Sequence, residues 1–374
     1  GIASLDADNV QDDSGLKILT PTTILNQAWV ALRKAKRRGP YALCTYNSIS
    51  DPKAHPLHRP SASIMAKFRQ LWIDEENFAI LLLKQDGGKS SGSFARRAMV
   101  LIGADAPVLK INGQEIFVFL AGADEKKALQ WARGFKKQLP PADTISYSIG
   151  ISVYPCLDFK KTDIPHNARK ALLHTAFYGP DTITAFDGVS LNVSGDIYYG
   201  EGDLVRAVQE YRKGLELAPS DTNLLNSLGE TYAQMNKPKT ARPFFEKALK
   251  ATPKQYMVLF NLGIANLAIG EVDLSIKYFE RALKAAKRQS EVQNINELLL
   301  QLGRLYCRTG RFKKAVNLFE SSNLAEQEGS KGLAAGSVLR YLGEAYQGIG
   351  KHKNAITALQ RAIRNNPHDA VSLS

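Results

Sequence analysis

The stretch Leu302-Gly303-Arg304-Leu305-Tyr306 returns as Leu342-Gly343-Glu344-Ala345-Tyr346. Earlier copies are Leu228-Gly229-x-x-Tyr232 and Leu262-Gly263, and a weaker one is Ser194-Gly195-x-x-Tyr198. The glycines at 195, 229, 263, 303 and 343 are therefore 34, 34, 40 and 40 residues apart. A second pattern keeps the same phase. Small residues fall at Ala207, Ala241, Ser275, Ala315 and Ala355. Four positions on come Tyr211, Phe245, Phe279, Phe319 and Leu359, and three further on Gly214, Ala248, Ala282, Ser322 and Ala362. A fixed period of this length means stacked supersecondary units, each unable to bury its apolar face alone.

Leu, Gly and Tyr at i, i+1 and i+4 put a bulky ridge and a notch on one helix. A small residue on the next helix permits close approach, and the aromatic four residues later fills the gap. Gly202, Gly270, Gly310 and Gly350 fall between the two helices, where a positive φ is often required. Prolines at 219, 253 and 367 close three of the units. The pattern resembles the tetratricopeptide repeat (TPR) in five units, about 188–221, 222–255, 256–295, 296–335 and 336–369. The longer units carry extra residues near 288–294 and 325–332, which should extend helices or loops.

The resemblance implies a right-handed solenoid whose concave face is lined by the first helix of each unit. In the Leu-Gly register that face carries Asn192, Tyr199, Asn226, Glu230, Phe260, Ile264, Leu267, Arg304, Arg340 and Glu344. Singly, each of these suits a solvated or packing position. Together they describe a groove with an apolar middle and Asn or Arg towards its ends, suited to a peptide backbone or a carboxylate. The expected partner is a protein segment on this face.

The first half alternates between periods. Residues 61–76 have helical spacing, with Ile64, Phe68, Leu71 and Trp72 on one face. Residues 78–83 are a continuous apolar strand, and 94–102 a helix. Residues 107–110 and 116–120 flank Asn112-Gly113, a strong hairpin dipeptide. An amphipathic helix over 124–139, a strand over 144–154, a helix over 167–178 and an edge strand over 183–186 follow. The order β-α-β-β-α-β predicts a ferredoxin-like palm. Upstream, 22–38 reads as a helix with Ile24, Leu25, Ala28, Trp29 and Leu32 apolar, 41–46 as a strand and 51–60 as a loop.

Three segments of this half carry a second resemblance. The hairpin Asn112-Gly113-Gln114-Glu115-Ile116 is similar to the GGDEF hairpin of diguanylate cyclases. The strand Ser148-Ile149-Gly150-Ile151 with Tyr154-Pro155 resembles that family's "SIG" strand, and Ala168-x-x-Ala171-Leu172-x-x-Thr175-x-x-x-Gly179 its closing helix. The resemblance covers residues 62–187. It implies a bacterial cytoplasmic signalling protein, with guanine nucleotide and a second copy of the chain as further candidate partners.

The departures from that family matter more. An active cyclase has a metal-binding carboxylate at the third hairpin position, where this chain has Gln114. A neutral amide cannot neutralise Mg²⁺ as a carboxylate does. Asn112 replaces the first glycine. Only Asp86 stands near the expected strand-end aspartate, and it is off position. The phosphate-contacting lysine is replaced around Ala176, and the local residues Gly103-Ala104-Asp105-Ala106 lack the RxxD pattern. Phosphoryl transfer depends on metal and positive charge around the phosphates. No catalytic residue, metal site or cofactor is therefore assigned.

The composition agrees with a globular chain. Of 374 residues, 44% are hydrophobic and 23% charged. No apolar run reaches the length of a membrane span. The chain begins at Gly1, not methionine, so a longer natural N-terminus is expected. Cys44, Cys156 and Cys307 form no framework, which suits free thiols in a reducing compartment. Net charge is +13. Residues 1–187 hold 24 Lys and Arg against 18 Asp and Glu; residues 188–374 hold 25 against 18. Such an even spread argues against a dedicated nucleic-acid domain.

Weaker signals receive plain readings. The cations of Arg33-Lys34-x-Lys36-Arg37-Arg38 suit a helix C-terminus. Gly87-Gly88-Lys89-Ser90-Ser91-Gly92 lacks phosphate-loop spacing and reads as a flexible connection. His55 and His58 read as exposed, and His166 and His174 have no companions at metal-ligand spacing.

The expectation is an α/β palm (ferredoxin-like, GGDEF-like) followed by an all-α TPR solenoid. Residues 1–60 form an N-terminal segment, 61–187 the GGDEF-like domain and 188–374 the repeats. The expected function is a signalling scaffold with a catalytically dead palm. The alternative is a diguanylate cyclase making cyclic di-GMP from GTP.

Overall fold

The computed structural model describes residues 21–38, 55–87, 94–138, 146–289, 292–321 and 333–365. The strand expected over 41–46, Cys44 and the extra segment 325–332 lie outside them. The chain divides into two compact units, Gly1–Thr231 and Tyr232–Ser374.

In the first unit, α1 (Pro21–Arg38) is the helix expected upstream. Its apolar residues are not all inward, since Leu25 and Trp29 are exposed. Then come α2 (Ala62–Leu71), β1 (Phe78–Gln85), α3 (Phe94–Ile102), β2 (Val108–Lys110), β3 (Glu115–Ala121), α4 (Glu125–Gln138), β4 (Tyr147–Tyr154), α5 (Ile164–His174) and β5 (Ile183–Ala185). The sheet order is β2-β3-β1-β4-β5. β1 is antiparallel to both β3 and β4, while β5 adds parallel to β4. Inserting β3 between β1 and β2 is split β-α-β connectivity.

β1 is apolar from Phe78 to Leu83 because both of its faces are covered there. Ala79, Leu81 and Leu83 join a core with Phe94, Ala98, Ala128, Ala132 and Phe135 from α3 and α4. Phe78, Ile80 and Leu82 join a second core with Phe68 from α2, Trp72 just past its end, and Ile164, Ala168 and Leu172 from α5. α5 lies tight on β4: a Cβ at Gly150 would meet the Ala168 carbonyl oxygen at 2.2 Å. The glycine of the Ser148-Ile149-Gly150 segment thus has a packing reason.

Asp187 turns the chain directly into α6 (Gly188–Gly200). Its side chain accepts from the Ser190 amide at 2.8 Å, while the Ser190 side chain meets the Asp187 amide, which makes a capping box. α7 (Leu204–Leu217) completes the first helical hairpin. Phe186, Ala171 and Leu191 form a small core joining α5 to α6. Lys170, buried, and Glu210, half-buried, pair across the same seam at 2.7 Å. α8 (Thr222–Gln234) runs through the division between the units.

The second unit continues with α9 (Pro238–Ala251), α10 (Tyr256–Ile269), α11 (Val272–Gln289), α12 (Val292–Arg308), α13 (Phe312–Ser321), α14 (Leu333–Gly348) and α15 (His352–Asn365). The extra residues near 288–294 lie where α11 lengthens and α12 begins. The notch works as the spacing predicts. A Cβ at Gly195, Gly263 or Gly303 would meet the ring of Tyr211, Phe279 or Phe319 at 2.3, 2.3 and 2.0 Å; at Gly343 it would meet Leu359 at 2.7 Å. Each partner lies sixteen residues on, so one register holds in every hairpin for which the contact is described. Ser275 adds a hydrogen bond to the Gly263 carbonyl at 2.8 Å.

The tyrosine of the repeat has its own task. Tyr306 donates to Glu280 and Tyr346 to Glu320, each at 2.6 Å and each reaching back 26 residues to the preceding hairpin. Burial and the facing carboxylate push both phenols above their ordinary pKa, so they remain donors. Gly202, Gly270, Gly310 and Gly350 all have positive φ, and in the second repeat Asn236 takes that place at φ 58°. Asn tolerates the left-handed region, so the repeat survives without its turn glycine. Among the described residues, no helix is long and apolar enough to cross a membrane.

Candidate binding surfaces

The hairpin Asn112-Gly113-Gln114-Glu115-Ile116 borders a cavity of about 770 Å³ in the first unit. Asn112 folds the turn onto itself, its Oδ1 accepting from the Gln114 and Glu115 amides at 2.8 Å each. Gln114 faces the cavity beside Lys84, Asp86, Arg169 and Ser148. Ile116 points into the core.

The two carboxylates of this cavity are already engaged. Glu115 is buried and takes both arms of Arg169, at 3.3 and 3.0 Å. Burial alone would raise its pKa, but the hydrogen bond and charge of Arg169 outweigh it and hold the carboxyl below its ordinary value. Asp86 accepts from Ser146 Oγ at 2.9 Å and from the Asp181 amide at 2.8 Å, pinning the approach to β5. Among the described residues, no group of three or more His, Cys, Asp or Glu is placed to hold a metal ion.

Residues that the sequence did not single out complete this site. Arg169 lies inside the quoted Ala168-x-x-Ala171 segment, and a hairpin glutamate facing a helix that brings a cation was the available signal. His55 and His58, expected exposed, are corrected. His55 lies 2.8 Å from Glu201, and His58 Nδ1 contacts the His55 carbonyl at 2.9 Å. Both line the cavity. Burial, then Arg169, lowers the His58 pKa. His166 touches the Leu57 carbonyl at 3.0 Å, which fixes the loop under these histidines.

The repeats present a different kind of surface. Three residues before each notch glycine stand Asn192, Asn226, Phe260, Leu300 and Arg340, all half-buried. One residue after it stand Asp196, Glu230, Ile264, Arg304 and Glu344, half-buried or exposed. The packing positions repeat from hairpin to hairpin; these change chemistry each time. Leu300 and Asp196 belong to this set by register and were not picked out from sequence.

In the first unit, Asn192 donates to Asp196 at 3.3 Å and Asn226 to Glu230 at 2.9 Å. Tyr211 also donates to Asp196, at 2.7 Å, and burial lifts the Asp196 pKa. Tyr199, half-buried, has its pKa raised by burial and then by Glu230. The asparagine amides therefore serve their own helices first, and the surface is acidic.

In the second unit, Phe260, Ile264 and Leu267 pack partly against the core. Phe260 stacks on Tyr256 with ring centroids 5.9 Å apart and tilts on Phe279 at 5.6 Å. These residues share themselves between core and surface. Arg304 bonds Gln301 on its own helix, and the Arg340 guanidinium lies 4.1 Å over the Tyr341 ring. Cys307, in the same layer, is pushed up to about 12 by burial and then by Glu344, so it stays a thiol. Cys156 is likewise free.

Comparisons with known proteins bear on the helical half. Tetratricopeptide-repeat family models match residues 195–236, 222–255, 255–322 and 301–367. Among solved structures, YrrB, described as a TPR protein with an unusual peptide-binding site, is similar at 23% identity. That match covers 50% of this chain and 90% of YrrB, with a TM-score of 0.43. MamA is similar at 22% identity over 49% of this chain and 93% of its own, with a TM-score of 0.41. BtubC from P. vanneervenii is similar at 21% over 48% and 79%, also with a TM-score of 0.41. No curated protein sequence matches the chain. The C-terminal part of the chain is built of tetratricopeptide repeats.

Proposed function

We propose that this chain is a signalling scaffold that grips a partner protein on the variable face of its repeats. One observation carries the reading. A notch glycine, a bulky residue sixteen positions on and a small residue recur through the hairpins, while the half-buried position three before the notch runs Asn, Asn, Phe, Leu, Arg. A framework of constant packing with changing half-exposed side chains is how a repeat array builds a recognition surface. In the second unit that surface offers Phe260, Ile264 and Leu267 as an apolar anchor and Arg304 and Arg340 as cations. An extended or helical segment with apolar anchors and a carboxylate fits it. In the first unit, Asn192, Tyr199 and Asn226 with their acidic neighbours favour a segment bearing donors.

We further propose that the sheet domain is a degenerate GGDEF-like domain that acts as an interaction or nucleotide-sensing module. The split β-α-β connectivity and the placement of Asn112, Gln114 and Glu115 along a cavity support this. Its carboxylates are bound to Arg169, Ser146 and a backbone amide, which leaves little for Mg²⁺.

Three experiments test these readings. A peptide selected on the full chain is titrated against Phe260→Ala and Arg340→Ala. Loss of a buried aromatic anchor weakens binding roughly tenfold or more, and the arginine change weakens it in a salt-sensitive way. Equal binding by both variants contradicts the proposed face. For the sheet domain, calorimetric titration with GTP and with cyclic di-GMP, each with Mg²⁺, reports sensing. Incubation with GTP gives no cyclic dinucleotide, and Gln114→Asp alone does not create turnover. Protein-dependent turnover by the parent chain contradicts the reading of a dead domain.

A further inference from the structure

A second cavity, about 350 Å³, lies in the first unit where α5 meets the hairpin of α6 and α7. On its wall is Asn167, 1% exposed, whose Nδ2 has no hydrogen-bond partner. A buried donor left unmade is costly and asks for an acceptor. The acids on the wall are already committed. Glu210 accepts from Lys170 at 2.9 and 2.7 Å and from Ser194 at 2.6 Å. Asp163 accepts from the Lys160 amide at 3.2 Å. Two cations are held more loosely. Arg59 stands 3.9 Å from Asp163, and Arg206 approaches Asp203 only at 3.6 Å while its guanidinium lies over the Tyr198 ring at 5.5 Å. Both arginines are largely exposed and have donors to give. His166 adds no charge: burial, then Lys170, drives its pKa down to about 3.

We propose that this cavity binds a small ligand through an anionic oxygen group, carboxylate or phosphate, held by Asn167 from within and by Arg59 and Arg206 from the rim. Asn167 belongs to α5 of the sheet domain, Arg59 to the segment just before that domain, and Arg206 to α7. The ligand therefore bridges the seam and stabilises the docking of the first hairpin on the sheet by mass action. The site is separate from the hairpin cavity and from the face of the repeats. Its role is that of an effector site coupling the two parts of the first unit.

The test uses the full chain with inorganic phosphate and with citrate, ionic strength being held constant with sodium chloride. Thermal unfolding and calorimetry are read together. The expected result is a saturable rise in Tm with at least one anion; phosphate alone or citrate alone identifies the headgroup. Arg206→Gln weakens that binding roughly tenfold. Asn167→Leu abolishes it while leaving the ligand-free Tm equal or higher, because the unpartnered donor is gone. A purely structural Asn167 instead lowers the ligand-free Tm. If Asn167→Leu fails to fold, the double variant Arg59→Gln with Arg206→Gln decides. No saturable effect from either anion, or undiminished binding by the arginine variants, overturns the proposal.

Discussion

Gly303→Ala places a methyl carbon where the Phe319 ring already stands. Its Cβ would lie 2.0 Å from Cζ and 2.6 and 2.7 Å from the two Cε atoms. Ordinary carbon contacts need about 3.5–4.0 Å, so the ring tip must retreat by about 1.5 Å. Phe319 is fully buried, so retreat disturbs the neighbouring core. Overpacking usually costs about 1–3 kcal/mol, and a clash this close falls in the upper part of that range, about 2–3 kcal/mol. The gain in helix propensity from Gly to Ala offsets about 1 kcal/mol of that. The net effect is a loss of about 1–2 kcal/mol, a fall in Tm of about 3–8 °C for a unit of this size. Thermal unfolding followed by circular dichroism at 222 nm reads it. Gly134→Ala is the control: it is helical in α4, and its Cβ meets nothing within 4 Å. That variant melts at or above the parent temperature. Adding Phe319→Leu to Gly303→Ala costs less than the sum of the two changes, because Leu359 already serves opposite Gly343. A Gly303→Ala chain melting at or above the parent refutes the notch-and-ring account of the repeats.

Two predictions concern the sheet domain. Arg169→Leu strands the buried Glu115 charge and lowers stability by about 3 kcal/mol in urea unfolding at neutral pH. Glu115 is held below its ordinary value of 4.5, so the pair's contribution is present above that pH and is lost as pH falls below it. Arg169→Leu lacks that acid-side loss; an unchanged acid limb contradicts the pairing. His166 is held near pKa 3 against an ordinary 6.5, so its neutral form contributes stability in full above pH 6.5, lost progressively as pH falls towards 3. Nuclear magnetic resonance finds its ring still neutral at pH 5; titration near 6.5 contradicts its burial against Leu57.

How much of this the sequence disclosed follows from the range of each interaction. The repeats were legible because Gly, ring and small residue recur at fixed spacing, and the contact between notch and facing residue spans only sixteen residues. The 26-residue reach of Tyr306 and Tyr346 to Glu280 and Glu320 was hidden, since a carboxylate on a helix surface has no signature of its own. β1 was legible as a strand because both of its faces are buried. The cavity beside the hairpin was half legible. Asn112 and Gln114 stood in a motif, but Arg169 and His58 arrive from 54 and 57 positions away from Glu115, and only the fold brings them together. How far Phe260 is shared with the core was not legible, because a first-helix position also touches the second helix of its own hairpin, here Phe279.

The central claim is that the variable face of the repeats is where a partner protein binds. Hydrogen exchange of the full chain, with and without a peptide selected for binding, tests it most directly. The account predicts added protection along α10, α12 and α14, centred on Phe260, Ile264, Arg304 and Arg340. Protection confined to the Gln114 and Arg169 cavity, with α10, α12 and α14 unchanged, contradicts it.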